Sequence, residues 1–301
     1  MKQLRGFRFR FYPTPAQKLE LAQTFGCGRF IYNWALSLKI AQYEESKQNL
    51  SYQDLSKELT QLKKDPEKPW LKQVSSVPLQ QKLRHLDTAF KNFFQGKTKY
   101  PRFKKKANRQ SATYANNAFQ WRDGKLTLAK MREPLDIRWS RYFSGEPKSV
   151  TVSKDPANRY FVSFLVAEEL EQYPTTEESI GIDLGIKDVM VTSKGFGSGN
   201  PKYYSKYQAR LKTLQKRLAK KQKGSRNREK ARLKVAKLHA KIADCRKDFT
   251  HKMTTQLVRE NQAIYTETLA VKNMMANHKL AKAIADCGCG EALRQLQYKC
   301  D

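Results

Sequence analysis

Two carboxylates stand where strand-forming residues surround them. Asp183 lies within Gly181-Ile182-Asp183-Leu184-Gly185, and Glu267 within Ile264-Tyr265-Thr266-Glu267-Thr268-Leu269. A charge between apolar β-formers opposes the local propensity, so such a residue has a purpose beyond folding. If the two strands share one sheet, both acids can point from one face and hold a hard divalent cation, Mg²⁺ or Mn²⁺, which prefers oxygen ligands and keeps several waters. In two-metal nucleases, a pair of such ions stabilises the attacking and leaving oxygens of phosphodiester displacement. Taken singly, each acid is better read as a strand-edge carboxylate paired with one of the many Lys and Arg side chains.

Those cations are the chain's most pronounced property. Its 301 residues carry 59 Lys plus Arg against 28 Asp plus Glu, a formal net charge of +31, which points to a polyanionic partner. Phe, Tyr and Trp make up 11% of the chain and alternate with the basic residues, a composition that suits base stacking and phosphate neutralisation in one groove. For any single ring, a place in the core is the better reading. No apolar run approaches the roughly 20 residues that cross a bilayer, and Met1 to Tyr12 is not a signal peptide. The chain is therefore expected to be cytoplasmic and nucleoid-associated, with no membrane partner.

The five cysteines, Cys27, Cys245, Cys287, Cys289 and Cys300, include no Cys-x-x-Cys pair, and neither a disulfide framework nor a zinc site is expected. Cys287 and Cys289 are separated by one residue, poor spacing for tetrahedral zinc, and on a helix their side chains would diverge. His85, His239, His251 and His278 are scattered and take no catalytic part.

The elements that must position the acids follow from periodicity. Leu4 to Tyr12 alternates Phe7, Phe9 and Phe11 with Arg8 and Arg10, the pattern of a half-buried strand. Thr14-Pro15-Ala16-Gln17 then starts a helix with a capping box, expected to be interrupted near Gly26 and Gly28. Helical spacing resumes over Phe30 to Ser46, Tyr52 to Lys63 and Leu79 to Phe94. After the break at Lys97 to Lys106, short alternating runs (Lys125 to Leu128, Ser149 to Val152, Arg159 to Ala167) predict a β-barrel or sandwich that includes the first strand. Glu168 to Ser179 reads as a linker. Ile180 to Val191 reads as strand, turn and strand. Two basic helices follow, Lys202 to Lys221 and Arg228 to Arg259, able to pack as a hairpin. Ala263 to Leu269 is a short strand, and Lys279 to Tyr298 one final helix.

Gly181-Ile182-Asp183-Leu184-Gly185-Ile186-Lys187-Asp188 resembles the first RuvC motif of the TnpB family, the insertion-sequence OrfB proteins. Arg29-Phe30-Ile31-Tyr32-Asn33 and Tyr100-Pro101-Arg102-Phe103-Lys104 resemble that family's N-terminal half. Thr266-Glu267-Thr268-Leu269 through Asn277, Leu280-Ala281, Asp286 and Gln295-Leu296-Gln297-Tyr298-Lys299 resembles its second RuvC motif and following helix. The resemblance implies an α+β multidomain protein: a wedge-like β-barrel domain (1–13 and 96–172), an inserted helical recognition lobe (14–95), and an RNase H-like RuvC α/β domain (178–301) with a basic hairpin (202–259). It implies an RNA-guided DNA endonuclease whose catalytic metal ligands are Asp183 and Glu267. A guide RNA from the transposon end would pair with one strand of a double-stranded DNA target, while the protein reads a short flanking motif. Tyr52, Gln80 and Asn116 fall where the family faces that motif, although each would serve equally as an ordinary exposed polar residue. Backbone phosphates are expected to meet Arg29, Arg102, Lys104, Lys105, Lys206, Arg210, Lys216, Arg217, Lys220 and Lys221.

The family's four-cysteine zinc finger and its third catalytic carboxylate, in an Arg-Asp-x-Asn-Ala type motif, have no counterpart among these residues, and neither Asp286 nor Asp301 sits in that context. The expectation is a C-terminally truncated member, its RuvC domain incomplete, with little or no cleavage. Two rivals remain: a nuclease-inactive guided DNA-binding repressor, and a generic basic RNA-binding remnant.

Overall fold

Strand β1 (Lys2–Phe11) buries Phe7, Phe9 and Phe11 while Arg8 stays exposed, each ring contributing about 2 kcal/mol of apolar burial. Thr14 then caps helix α1 (Pro15–Ser46): its hydroxyl accepts from the Gln17 amide at 3.3 Å, and Gln17 Oε1 accepts from the Thr14 amide at 3.1 Å. The computed structural model describes residues 2–169 and 173–300. They form two compact units, residues 1–170 and 171–301, a division that falls inside the expected linker.

In the first unit α1 is followed by α2 (Tyr52–Leu62), α3 (Trp70–Gln73) and α4 (Ser76–Phe94), then by β2 (Gln110–Ala115), β3 (Phe119–Arg122), β4 (Lys125–Leu128), β5 (Ile137–Arg138), β6 (Pro147–Lys154) and β7 (Tyr160–Glu169). Helix α1 is not interrupted at Gly26 and Gly28, contrary to the expectation. A helical glycine costs only about 1 kcal/mol, and packing on both sides offsets it. Leu21 and Phe25 enter the core of the sheet, whereas Cys27, Ile31, Tyr32, Ala35 and Leu36 enter a core shared with the other helices. Gly28 also admits Lys82 of α4: a Cβ there would stand 3.1 Å from Lys82 Cε.

The expected barrel does not close. Strands run in the order β2-β6-β7-β1-β5, every neighbour antiparallel, and β3 with β4 forms a separate hairpin. Edge strand β5 is two residues long and offers no ladder to β2. Leu126 and Leu128, with the half-buried Trp121, cover the core instead, together with Leu21 and Phe25 of α1. Strands β2, β3 and β5 were not legible as separate runs.

The second unit contains β8 (Ser179–Asp183), β9 (Val191–Thr192), α5 (Tyr203–Ala219), α6 (Arg226–Glu260), β10 (Ala263–Thr266), α7 (Val271–Met274), α8 (Ala281–Cys287) and α9 (Cys289–Cys300). Strand β8 is central, parallel to β10 and antiparallel to β9. A parallel pair needs a long crossover, and α5 with α6 supplies it. Leu211, Leu238 and Ile242 form the seam of that hairpin.

The single final helix expected over Lys279 to Tyr298 is replaced by two, α8 and α9. Gly288 takes φ +78° and ends α8 through its amide to the Ile284 carbonyl, the left-handed cap that glycine adopts at no steric cost. This break corrects the expectation for the two cysteines. Their side chains converge, with Cys287 and Cys289 Sγ atoms 3.2 Å apart in the core. The shared hydrogen bond pushes the Cys287 thiol up and draws the Cys289 thiol down to about 7.

Candidate acidic site and nucleic-acid interface

The β8–β10 register decides whether the two acids can meet. Ile264 pairs with Ile180, Tyr265 with Gly181 and Thr266 with Ile182; one residue further, Asp183 ends β8 and Glu267 follows β10. The two acids therefore stand at the same end of the parallel pair, Glu267 one residue beyond the ladder. Ile180 and Ile182 are buried while Asp183 and Glu267 are both exposed. Neither acid forms an ion pair among the described residues. Two exposed carboxylates at the same end of a parallel strand pair are the donor type that a hard divalent ion retaining its waters prefers. Among the described residues, no group of three or more His, Cys, Asp or Glu side chains could hold a metal.

Around these acids the polar groups are structural. Asp286 is buried, and its carboxylate accepts the Tyr204 and Ser205 amides at 2.8 and 3.1 Å. It caps α5 from a distance, because the helix's own N-cap, Lys202, sits at φ 45° without a side-chain cap and the first amides need an acceptor. Gln295 is fully buried and accepts from Thr254 Oγ1 at 3.0 Å. Lys299 Nζ donates to Thr254 and Thr255 hydroxyls at 2.7 and 2.6 Å. The Gln295-to-Lys299 motif thus ties α9 to α6. Asp188 holds the following loop through the Gly199 amide at 2.7 Å.

On the α5–α6 hairpin, Lys206, Arg210, Lys216, Arg217, Lys220 and Lys221 are all exposed. Between Lys202 and Lys247 eighteen Lys or Arg residues face two acids, Glu229 and Asp244, so most of the positive charge cannot be neutralised within the hairpin.

In the first unit, the structure brings the two N-terminal motifs together. Asn33 Nδ2 donates to the Lys104 carbonyl at 3.0 Å while its Oδ1 accepts the Lys104 amide at 2.7 Å. This clip holds the Tyr100-to-Lys106 segment on α1, and Lys104 Nζ lies 4.7 Å from the centre of the Tyr32 ring. Arg102, Lys104 and Lys105 are exposed. Arg29 is half-buried and donates to Gln110 Oε1 at 3.0 Å, which joins α1 to β2. Tyr52 opens α2, with Arg84 over its ring at 4.9 Å. Gln80, one turn before Arg84 on α4, is exposed in a shallow groove with Thr60, Lys63, Lys64 and Lys72. Asn116 follows β2, and its side chain lies outside the described residues.

Sequence reasoning did not find Asn33 as a clip, or Lys82. The Lys82 ammonium lies 3.3 Å from Ser111 Oγ without a carboxylate partner among the described residues. Burial and the nearby Lys104 draw it from 10.5 down to about 8. A motif match marks a position; only the fold shows what it touches.

Residues 150–278 match a family model described as "Probable transposase", of the OrfB proteins, and residues 1–48 match its "Helix-turn-helix domain". In the structure that second stretch is one strand and one unbroken helix. A Streptomyces pristinaespiralis protein named "Putative RNA-guided DNA endonuclease" is 50% identical over 299 residues, 98% of this chain and 74% of that protein. The Escherichia coli (strain K12) protein "Putative RNA-guided DNA endonuclease InsQ" is 32% identical over 323 residues, 99% of this chain and 78% of its own. Among solved structures, a chain of a Cas12f1–sgRNA–target DNA complex has a TM-score of 0.58 at 11% identity, covering 99% of this chain and 87% of that one, which establishes a shared mixed α/β fold.

Proposed function

The chain belongs to the TnpB family, and from that premise we propose that it is an RNA-guided DNA-binding protein with the family's endonuclease chemistry. The observation that supports the reading is that Asp183 ends β8 and Glu267 directly follows its parallel partner β10, which brings two exposed acids to the same end of the strand pair. On this reading the second unit is an RNase H-like nuclease domain, residues 178–301. The first combines a wedge-like sheet (1–13 and 96–172) with a helical recognition lobe (14–95).

Asp183 and Glu267 would hold Mg²⁺ or Mn²⁺. The bound ion supplies electrostatic stabilisation of the scissile phosphate and of the attacking and leaving oxygens. The two side chains would fix its place at the C-terminal ends of β8 and β10. Phosphates of the guide RNA and of the DNA would run along Lys206, Arg210, Lys216, Arg217, Lys220 and Lys221. In the first unit, Arg102, Lys104 and Lys105 serve the same end, with Arg29 bracing α1 against β2. Tyr52, Gln80 and Asn116 would face a short duplex motif beside the target.

Purification from cells carrying the native locus, with sequencing of the co-purified RNA and a guided plasmid-binding assay in Mg²⁺, tests this. One discrete RNA and binding that follows its sequence are expected. A smear of cellular RNA without targeting would refute the guided reading, and the plasmid's integrity separates cutting from binding alone.

A further inference from the structure

The end of α4 carries an aromatic cluster on the surface. Phe94 is 73% exposed and Tyr100 45%. Phe90 and Phe94 stack at 6.3 Å with planes 26° apart, and Tyr100 meets Phe90 and Phe93 edge-on at 5.6 and 5.3 Å. The cluster is held firmly: Phe90 packs against the helical core, and the amides of Lys97 and Thr98 both donate to the Asn92 carbonyl at 2.9 and 3.2 Å, turning the chain back so that Tyr100 returns onto α4. Pro101 beside it is buried. Phe94 rests one side of its ring on Phe90 and Phe93 and leaves most of the rest to solvent.

The surrounding charge says what would cover it. Between Asp87 and Asp123 the sequence has nine Lys or Arg residues and no acid, and Lys97, Lys99, Arg102, Lys104, Lys105 and Lys106 are all exposed. An apolar protein partner would meet these cations at a desolvation cost, whereas a nucleic-acid strand satisfies both features, its phosphates on the cations and its bases on the rings. A base inside a duplex has its faces already stacked; an unpaired base has a free one. On the guided reading, the strand the protein holds before any target arrives is its guide RNA.

We propose that Phe94 and Tyr100 form a stacking platform for unpaired nucleotides of the guide RNA, flanked by phosphate contacts from Lys97 to Lys106. This rests on the guided reading but is tested separately from it. The probe is a single-stranded oligoribonucleotide with one 2-aminopurine, whose fluorescence is quenched by stacking; a blunt RNA duplex and the matching DNA oligonucleotide are its comparisons.

Phe94→Leu, which keeps apolar bulk without a ring, is expected to weaken binding of the RNA oligonucleotide by about 5- to 100-fold and to abolish the quenching. Duplex affinity and the salt dependence should be unchanged, and Phe94→Trp should restore both signals. Replacing Lys104 and Lys105 by Gln should flatten the salt dependence but keep the quenching. Wild-type affinity and quenching in Phe94→Leu would overturn the platform, as would equal losses on single strand and duplex. A loss confined to the DNA oligonucleotide would overturn its assignment to RNA. Failure of the guided reading would show instead as no discrete RNA on the wild-type protein.

Discussion

Asp286 and Gln295 of the second unit and Lys82 of the first are treated in opposite ways by the groups around them. In the second, Asp286 is answered by two helix amides and Gln295 by the Thr254 hydroxyl, so each is satisfied within the chain. In the first, Lys82 is drawn into the junction of α1, α4 and β2 with one hydroxyl and a neighbouring lysine but no carboxylate. Satisfied groups hold the fold together, whereas a cation buried without a carboxylate carries a desolvation cost. A second contrast runs over the surface. The second unit's hairpin carries a run of exposed cations with two acids among them, whereas the first unit's tract sets exposed rings beside its cations.

Stripping the hairpin breaks this comparison most severely. Replacing Lys206, Arg210, Lys216, Arg217, Lys220 and Lys221 by Gln is expected to weaken DNA binding by about 100- to 1,000-fold, and to flatten the plot of log affinity against log salt by about 0.9 for each phosphate no longer neutralised. Titration at several salt concentrations measures both, and an unchanged slope would mark the hairpin as a solvated face.

Lys82 and Gln295 carry the comparison into stability. With Lys82 lowered to about 8, the folded state bears a disfavoured charge below that pH and is relieved of it as the pH rises towards 10.5. The urea midpoint should therefore climb between about pH 8 and 10 in the wild type. It should stay flatter in Lys82→Met, which is expected to be more stable at pH 7 by about 1–2 kcal/mol after allowance for the residual exposure of the lysine. Gln295→Ala goes the other way and should cost about 1–3 kcal/mol, because a fully buried side chain and its hydrogen bond tying α9 to α6 are lost. Equal effects of the two substitutions would erase the distinction between these groups.

The smallest effect concerns the glycines. Gly26→Ala meets nothing within 4 Å and should stabilise by about 0.5–1 kcal/mol in thermal unfolding. Gly28→Ala, pressed on Lys82, should gain less, and Gly288→Ala, at φ +78°, should destabilise.

Those glycines also show how far the sequence was legible. Asp183 and Glu267 were visible because charge interrupted two β-runs, and Phe7, Phe9 and Phe11 because their period is two. The helix through Gly26 and the break at Gly288 were not. The first follows from the core packing of the α1 residues that flank the glycines, the second from the left-handed backbone at Gly288, and local pattern encodes neither. Cys287 and Cys289 converge only once that break exists. The open sheet was missed because closure depends on whether distant β2 and β5 pair. Asn33 and Lys104 are far apart in sequence, and nothing local joins them.

Manganese binding followed by electron paramagnetic resonance tests the acidic pair most directly, without requiring guide, target or cleavage. The account predicts that the wild-type chain binds Mn²⁺, that Asp183→Asn and Glu267→Gln each weaken binding at least about tenfold, and that Asp286→Asn leaves it unchanged. Mn²⁺ affinity indifferent to both Asp183→Asn and Glu267→Gln would contradict it.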